Sequence, residues 1–222
     1  MQRVTEPELM DEPSQAEAYA AADFAEAHER IVEHFAVCFP GVEIAGHVLD
    51  LGCGPGDISF RFAARFPGAS VTGVDGSAAM IELARQRQGR ETGTDDRVRF
   101  IEALIPDASL PAGPYAAIIS NSLLHHLHRP AVLWETIAAY ASAGTRIYVA
   151  DLRRPLTTAV ARRLVESYAA GEPEVLRRDF YHSLCAAFEP REVEAQLEAA
   201  GLAELAVAVI SDRHLVIHGV KH

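Results

Sequence analysis

The stretch Val48-Leu49-Asp50-Leu51-Gly52-Cys53-Gly54-Pro55-Gly56-Asp57 constrains the fold more than any other part of the chain. The run His47–Leu51 reads as a strand, and the glycines that follow permit a tight turn whose backbone a ligand can approach. Asp57–Phe66 then reads as a helix, stopped by Pro67-Gly68. A second strand, Ser70–Val74, runs into Asp75. A carboxylate at a strand tip about 20 residues past a glycine turn is well placed to accept hydrogen bonds from ribose hydroxyls.

The alternation continues downstream. A helix is expected over Ser77–Gln88, a third strand over Arg97–Ile101, a fourth over Tyr115–Ser120, a helix from Pro130 to Ser142 and a fifth strand over Thr145–Ala150. Such alternation implies a parallel sheet with helices on both faces. Residues 152–188 carry helical stretches and no clear strand. Glu189-Pro190 opens a helix closed by Gly201. Leu205–Ile210 and His214–Gly219, separated only by Ser211-Asp212-Arg213, read as an antiparallel hairpin at one edge. The fold class is therefore α/β: a Rossmann-like, mostly parallel seven-stranded sheet with an antiparallel hairpin at its C-terminal edge. Upstream, Ser14 and Glu17 have capping-box spacing at the start of a helix expected to run to Phe39. Residues 1–13 mix acids with Pro7 and Pro13 and are expected to fray. The division that results is an N-terminal helical flap over 1–46 and a ligand-binding domain over 47–222, with a helical lid inserted at 152–188.

A glycine turn by itself also suits a dinucleotide, but that fingerprint is G-x-G-x-x-G, and here the third glycine comes one place early. Asp50 puts a negative charge near where a pyrophosphate would lie. This repels phosphate and suits a ligand bearing an ammonium group, so a nicotinamide oxidoreductase is disfavoured. VLDLGCGPG followed by VTGVDGS resembles motifs I and II of the class I S-adenosylmethionine-dependent methyltransferases. The resemblance spans roughly residues 47–219 and implies S-adenosylmethionine as cofactor and S-adenosylhomocysteine as product. It implies that Asp50 pairs with the methionine amino group, that the backbone at Gly52, Cys53 and Gly54 faces the methionine and ribose portion, and that Asp75 holds the ribose hydroxyls. Gly76 and Met80 would flank the adenine. The family's Gly-Asp pair after the third strand is absent, which leaves the adenine contact to the backbone at Ala103-Leu104 or to Asp107. The aspartate commonly found at the opening of the fourth strand is also missing, replaced by Tyr115-Ala116.

Ser120-Asn121-Ser122-Leu123-Leu124-His125-His126-Leu127-His128 follows the fourth strand, at the strand end where ligands collect in such folds. It resembles the corresponding stretch of small-molecule methyltransferases, not the [ND]-P-P-[YF] motif of relatives that methylate nucleic acids and protein amides. Asn121 would touch the methionine part of the cofactor. His125 or His126 is a candidate general base, weighed against a helix-capping histidine and a solvent-facing one. A metal site of His125, His126 and His128 lacks a carboxylate or cysteine ligand at an obvious spacing, so no metal is expected. Tyr181 is a further catalytic candidate. Arg178, Asp179, Tyr19 and Asp23 are substrate candidates, Tyr19 and Asp23 because relatives often fold an N-terminal helix over the cofactor. Packing within the lid is the competing role for Phe180 and Tyr181. Trp134 and Ile137 read as core, and Arg213 and His214 as turn residues.

The chain of 222 residues has a formal net charge of −11. An acid excess argues against a phosphate-backbone binder, since each neutralised phosphate needs a cation. Residues 1–47 hold ten acids against Arg3 and Arg30, whereas residues 146–178 carry seven arginines against four acids. Arginine forks suit a carboxylate or phosphate, so an anionic acceptor stands beside the simpler reading of solvated helix faces. An acidic flap could also be drawn to the arginine-rich lid by attraction. Cys38, Cys53 and Cys185 have no CxxC spacing, and no apolar leader is evident, so a cytoplasmic location is expected. The expected reaction is in-line methyl transfer to an O, N or S atom of a small molecule by a monomer or homodimer, without nucleic-acid or membrane partners. The same cofactor motifs also fit intramolecular alkylation, or transfer of another sulfonium substituent, with release of methylthioadenosine.

Overall fold

A computed structural model describes residues 1–22, 24–88, 95–106 and 110–222, apart from the side chains of Pro13, Ser14 and Asp95. Seven strands form one sheet: β1 (Gly46–Leu51), β2 (Ala69–Asp75), β3 (Val98–Glu102), β4 (Tyr115–Asn121), β5 (Arg146–Leu152), β6 (Ala206–Val209) and β7 (His214–Val220). Their order is β3-β2-β1-β4-β5-β7-β6. β1 to β5 run parallel, and β7 pairs antiparallel with both β5 and β6. β1 therefore lies where the chain reverses its direction of travel across the sheet, and in open α/β sheets this is where the strand ends leave a crevice.

Alternation along the strands divides the core between two faces. Val48, Ala117, Ile119 and Tyr148 pack with Phe35 of α2 (Ala25–Cys38) and with Phe62 of α3 (Asp57–Arg65). Ile81 and Ala84 of α4 (Ala78–Gln88) join the same face. Leu49, Leu51, Ile118, Ile147 and Val149 point the other way, onto α5 (Ala131–Tyr140) and α8 (Pro190–Ala199). Trp134 and Ile137 are buried there as expected, and the Trp134 indole N–H donates to Gln196 Oε1 at 2.9 Å, tying α5 to α8. Each fully buried side chain of this size contributes about 1.5–3 kcal/mol.

The N-terminal region departs from expectation in two ways. The single helix splits into α1 (Pro13–Ala21) and α2, because Ala22 is extended and closes α1. Glu12 stands at the N-cap of α1, so Ser14, the expected cap, lies inside the helix instead. Residues before Pro13 form a strap instead of fraying. The Val4 N–H donates to the Cys185 carbonyl, and the Arg3 guanidinium donates to the carbonyls of Ala186, His125 and Leu127 while lying over the Phe188 ring. Further along, Glu8 accepts from the His128 N–H and the Met10 carbonyl accepts from the Ser77 hydroxyl. Nor, among the described residues, does an acid of this region pair with a lid arginine. Glu26 pairs with Arg30 and Glu29 with Arg61, and the strap is anchored to the lid by a base, Arg3.

The lid consists of α6 (Thr158–Tyr168) and α7 (Glu174–Ala186), with a small core of Leu164, Val165 and Leu184. It is closed at its base. Arg153 bridges to Phe188, the Arg154 N–H donates to the Phe188 carbonyl, and the buried Arg154 side chain reaches the Ala187 carbonyl, Glu189 and Glu192. Arg213 lies in the hairpin turn as expected, whereas His214 is the first residue of β7. Among the described residues, no helix is long and apolar enough to cross a membrane.

Candidate active site

The glycine turn joins β1 to α3 at the reversal point. Gly52 has φ +70°, and a Cβ there would come within 2.8 Å of the Leu123 side chain. Gly56, the N-cap of α3, has φ +82°, and a Cβ would come within 2.5 Å of the Phe100 ring. Both positions demand glycine for conformation and for space. The Cβ direction at Gly54 points into open space instead, so the backbone can be approached there.

Two carboxylates flank this turn. Asp50, one residue from the end of β1, is 1% exposed, and its Oδ2 accepts from the Ser59 hydroxyl at 2.6 Å. Burial pushes its pKa up to about 7; the Ser59 hydrogen bond opposes the shift and the charge of Asp75 adds to it. Asp75 ends β2, where Oδ2 accepts from the Gly54 N–H at 2.9 Å and Oδ1 from the Ser77 N–H at 2.8 Å. Burial raises Asp75 as well, and those backbone donors work against the rise. Cys53 is buried between them. Gly76 faces the side chains of Leu104, after β3, and Leu9 of the strap; Met80 on α4 is buried beside it in sequence, its N–H held by Ser77 Oγ. The Ala103 N–H is taken by the Asp75 carbonyl, and Leu104 is largely exposed. Asp107 lies outside the described residues.

Asn121 ends β4, half-buried, and the chain turns at Ser122 with φ +56°. The turn delivers two histidines with very different surroundings. His125 is buried and its Nδ1 meets Asp151 Oδ1 at 2.5 Å. Asp151, near the end of β5, also accepts from the N–H groups of Leu124 and Leu152, which fixes the carboxylate and hence the ring. Burial opposes a charge on His125, yet Asp151 and then Glu6 outweigh it and raise its pKa. His126 behaves oppositely. Burial, followed by the charge of His125, pushes it down to about 3. Glu6 of the strap lies against both rings, its Oε1 3.6 Å from His125 Nε2 and 3.3 Å from His126 Nδ1. His128 is more exposed, and its Nε2 contacts the Glu6 carbonyl.

The remaining candidates scatter over the rim. Tyr19 on α1 lies within electrostatic reach of Asp57, Asp75 and Asp151; burial first and those charges second push its hydroxyl up to about 12. Asp23 lies outside the described residues. Asp179 accepts from Gln15 of α1 and from its neighbour Arg178, so it joins α7 to α1. Tyr181 packs on the lid core and, with Arg178, lines an open cleft of about 420 Å³. Arg162 and Arg177 line the same cleft with Glu166 and Glu174, so three arginines stand against two glutamates there.

Three residues around the site escape a sequence reading. Asp151 follows the same rule as Asp50 and Asp75, an acid near the carboxyl end of a parallel strand, and that rule would have found it. Ser59 sits on the first turns of α3, nine residues after the aspartate it serves, and looks like any helix-surface serine. Glu6 is brought to the histidines from more than a hundred residues away, and no local signal marks it.

Residues 48–144 match a family model described as a methyltransferase domain. A ubiquinone biosynthesis O-methyltransferase from Xylella fastidiosa is 37% identical over 111 residues, 49% of this chain and 43% of that protein. A release factor glutamine methyltransferase from Chlorobaculum tepidum is 32% identical over 134 residues, 59% of this chain and 42% of that protein. The chain thus spans less than half the length of these curated relatives. Among solved structures, the plantazolicin methyltransferase BpumL, in complex with a triazolic desmethyl analogue and SAH, superposes with a TM-score of 0.65 at 18% identity, covering 94% of this chain and 90% of that one.

Proposed function

We propose that this chain, which belongs to the class I S-adenosylmethionine-dependent methyltransferases, transfers the methyl group of S-adenosylmethionine to a small-molecule acceptor. The observation that carries the reading is the pair of carboxylates, Asp50 and Asp75, on either side of a glycine turn whose backbone is open at Gly54. The residues suit the cofactor. A buried carboxylate with only a hydroxyl for company favours a cationic ligand group, and the methionine ammonium supplies one. Asp75 retains lone pairs for ribose hydroxyls beyond its two backbone donors. Gly52, Cys53 and Gly54 provide close backbone approach, and Gly76, Met80 and Ala103-Leu104 border the adenine side, with Asn121 on the methionine side.

S-adenosylmethionine brings an already activated methyl group, so the protein's part is alignment and exclusion of water. Residues 1–46 act as the flap, with the strap seated against the lid, and residues 152–188 provide the acceptor pocket. His125 and His126 form the polar end of that pocket, His125 held in one orientation by Asp151. The small-molecule reading is supported by Ser120-Asn121-Ser122-Leu123 standing where amide- and nucleobase-methylating relatives have [ND]-P-P-[YF].

The test is incubation of the purified chain with methyl-labelled S-adenosylmethionine and a deproteinised, nucleic-acid-free cell extract. The expected result is S-adenosylhomocysteine, with label in the small-molecule fraction. Release of methylthioadenosine, or label transferred only when protein or nucleic acid is supplied, overturns it.

A further inference from the structure

Glu6, His125 and His126 bring one carboxylate oxygen and two imidazole nitrogens within 4.8 Å of one another. His125 Nδ1 is taken up by Asp151, and its Nε2 points toward Glu6 Oε1 at 3.6 Å, beyond hydrogen-bond reach. Among the described residues, the His126 Nδ1 is buried with no hydrogen-bond partner. With its proton on Nε2, a neutral His126 presents a lone pair from Nδ1. Glu6 Oε1 is likewise buried and, among the described residues, without a hydrogen bond, 3.3 Å from that Nδ1. Its other oxygen, Oε2, accepts from the Ser183 hydroxyl of α7 at 3.3 Å. With His125 neutral, two imidazole lone pairs and a carboxylate oxygen converge on one point, a place that either a proton on His125 Nε2 or a bound cation fills.

We propose that Glu6, His125 and His126 form a binding site for a divalent transition-metal ion of the zinc or iron(II) type. One donor atom from each residue lies within 4.8 Å of the others. Two ligands about 2.1 Å from a tetrahedral ion stand about 3.4 Å apart, close to the 3.3 and 3.6 Å separations seen here. Two imidazoles and one carboxylate suit zinc and non-haem iron better than calcium or magnesium, and three protein ligands leave a position for an acceptor atom. The outer contacts are those of a built site. Asp151 fixes the tautomer and plane of His125, and Ser183 holds the second oxygen of Glu6. The ion would also bind the strap to the turn after β4, closing the acceptor side from residues 119 and 120 positions apart. As ligands the histidines are not bases; a metal-polarised acceptor needs none. The inference stands apart from methyl transfer, because metal binding is read without cofactor or acceptor.

The experiment uses the full chain, freed of metal by a chelator and titrated with cobalt(II) while visible d–d absorption is recorded, then with zinc(II) by calorimetry. One equivalent is expected to saturate the cobalt band. Glu6→Gln and His126→Gln, each checked for folding by circular dichroism, should weaken binding more than about 10-fold, beyond the lower end of what outer-shell changes cost. His47→Gln, on the exposed start of β1, should bind as the unaltered chain does. Absence of a saturable cobalt band, or binding unaltered in folded Glu6→Gln and His126→Gln chains, overturns the proposal and leaves a proton on His125 as the occupant.

Discussion

Replacing Asp50 with asparagine should separate stability from cofactor binding, because one buried carboxylate opposes the first and serves the second. The folded chain without cofactor holds Asp50 at about 7, against an ordinary value near 4 for an aspartate in an unfolded chain. Between those values the native state keeps a proton that the unfolded state has released. Stability from this group is therefore complete below about pH 4, falls as pH rises, and is lost above about pH 7. Three pH units correspond to a cost of order 4 kcal/mol, an upper figure for so buried a group. Asp50→Asn retains a hydrogen-bonding partner for Ser59 and has no charge to bury. In urea or thermal unfolding without cofactor, the variant should match the parent near pH 4 and become more stable towards pH 8, by on the order of 10 °C in Tm. Cofactor affinity moves the other way. In the parent it should rise with pH to a plateau above about 7, where the carboxylate is free to meet an ammonium group, and in the variant it should be weak at every pH. A stability difference that does not vary with pH would refute the assignment of a strained, proton-holding Asp50.

Two further substitutions probe the same turn. Asp75→Ala should weaken S-adenosylmethionine binding about 10- to 100-fold in calorimetry, the scale of charge-assisted hydrogen bonds to ribose hydroxyls, and unchanged affinity would remove Asp75 from the ribose site. Gly52→Ala combines φ +70° with a Cβ 2.8 Å from Leu123, so it should cost about 1–3 kcal/mol in denaturant unfolding; an undisturbed midpoint would mean that Leu123 yields freely.

The sheet was legible because strands and helices differ in the period of their apolar residues, and each glycine or proline signal fell at an element end. All seven expected strands appear, with ends shifted by a residue or two. Asp50, Asp75 and the glycine turn were legible for the same reason: their geometry is local, set within one strand-turn-helix unit. The strap was not. Its acids and two prolines look like an unstructured tail, and what orders them is Arg3 reaching three backbone carbonyls far along the chain. The break between α1 and α2 escaped because Ala22 and its neighbours carry no proline or glycine to announce it. The partner of the histidine pair escaped for a related reason: spacing rules find ligands on one element, and Glu6 arrives from another.

The closed base of the lid has a consequence for how such a chain can change. Residues 155–187 leave the sheet after Arg154 and return at Phe188, and the two ends are already hydrogen-bonded to each other. The segment is thus a loop whose closure is made by the scaffold, not by its own contents. Lengthening such a loop costs little, about 0.6 kcal/mol for each doubling. Helices of other lengths and other linings can be exchanged between those two points while β5, α8 and the turn that holds Asp50 remain as they are. The insertion is in this sense a detachable cassette on a fixed sheet, and the guanidinium of Arg154 is its clasp.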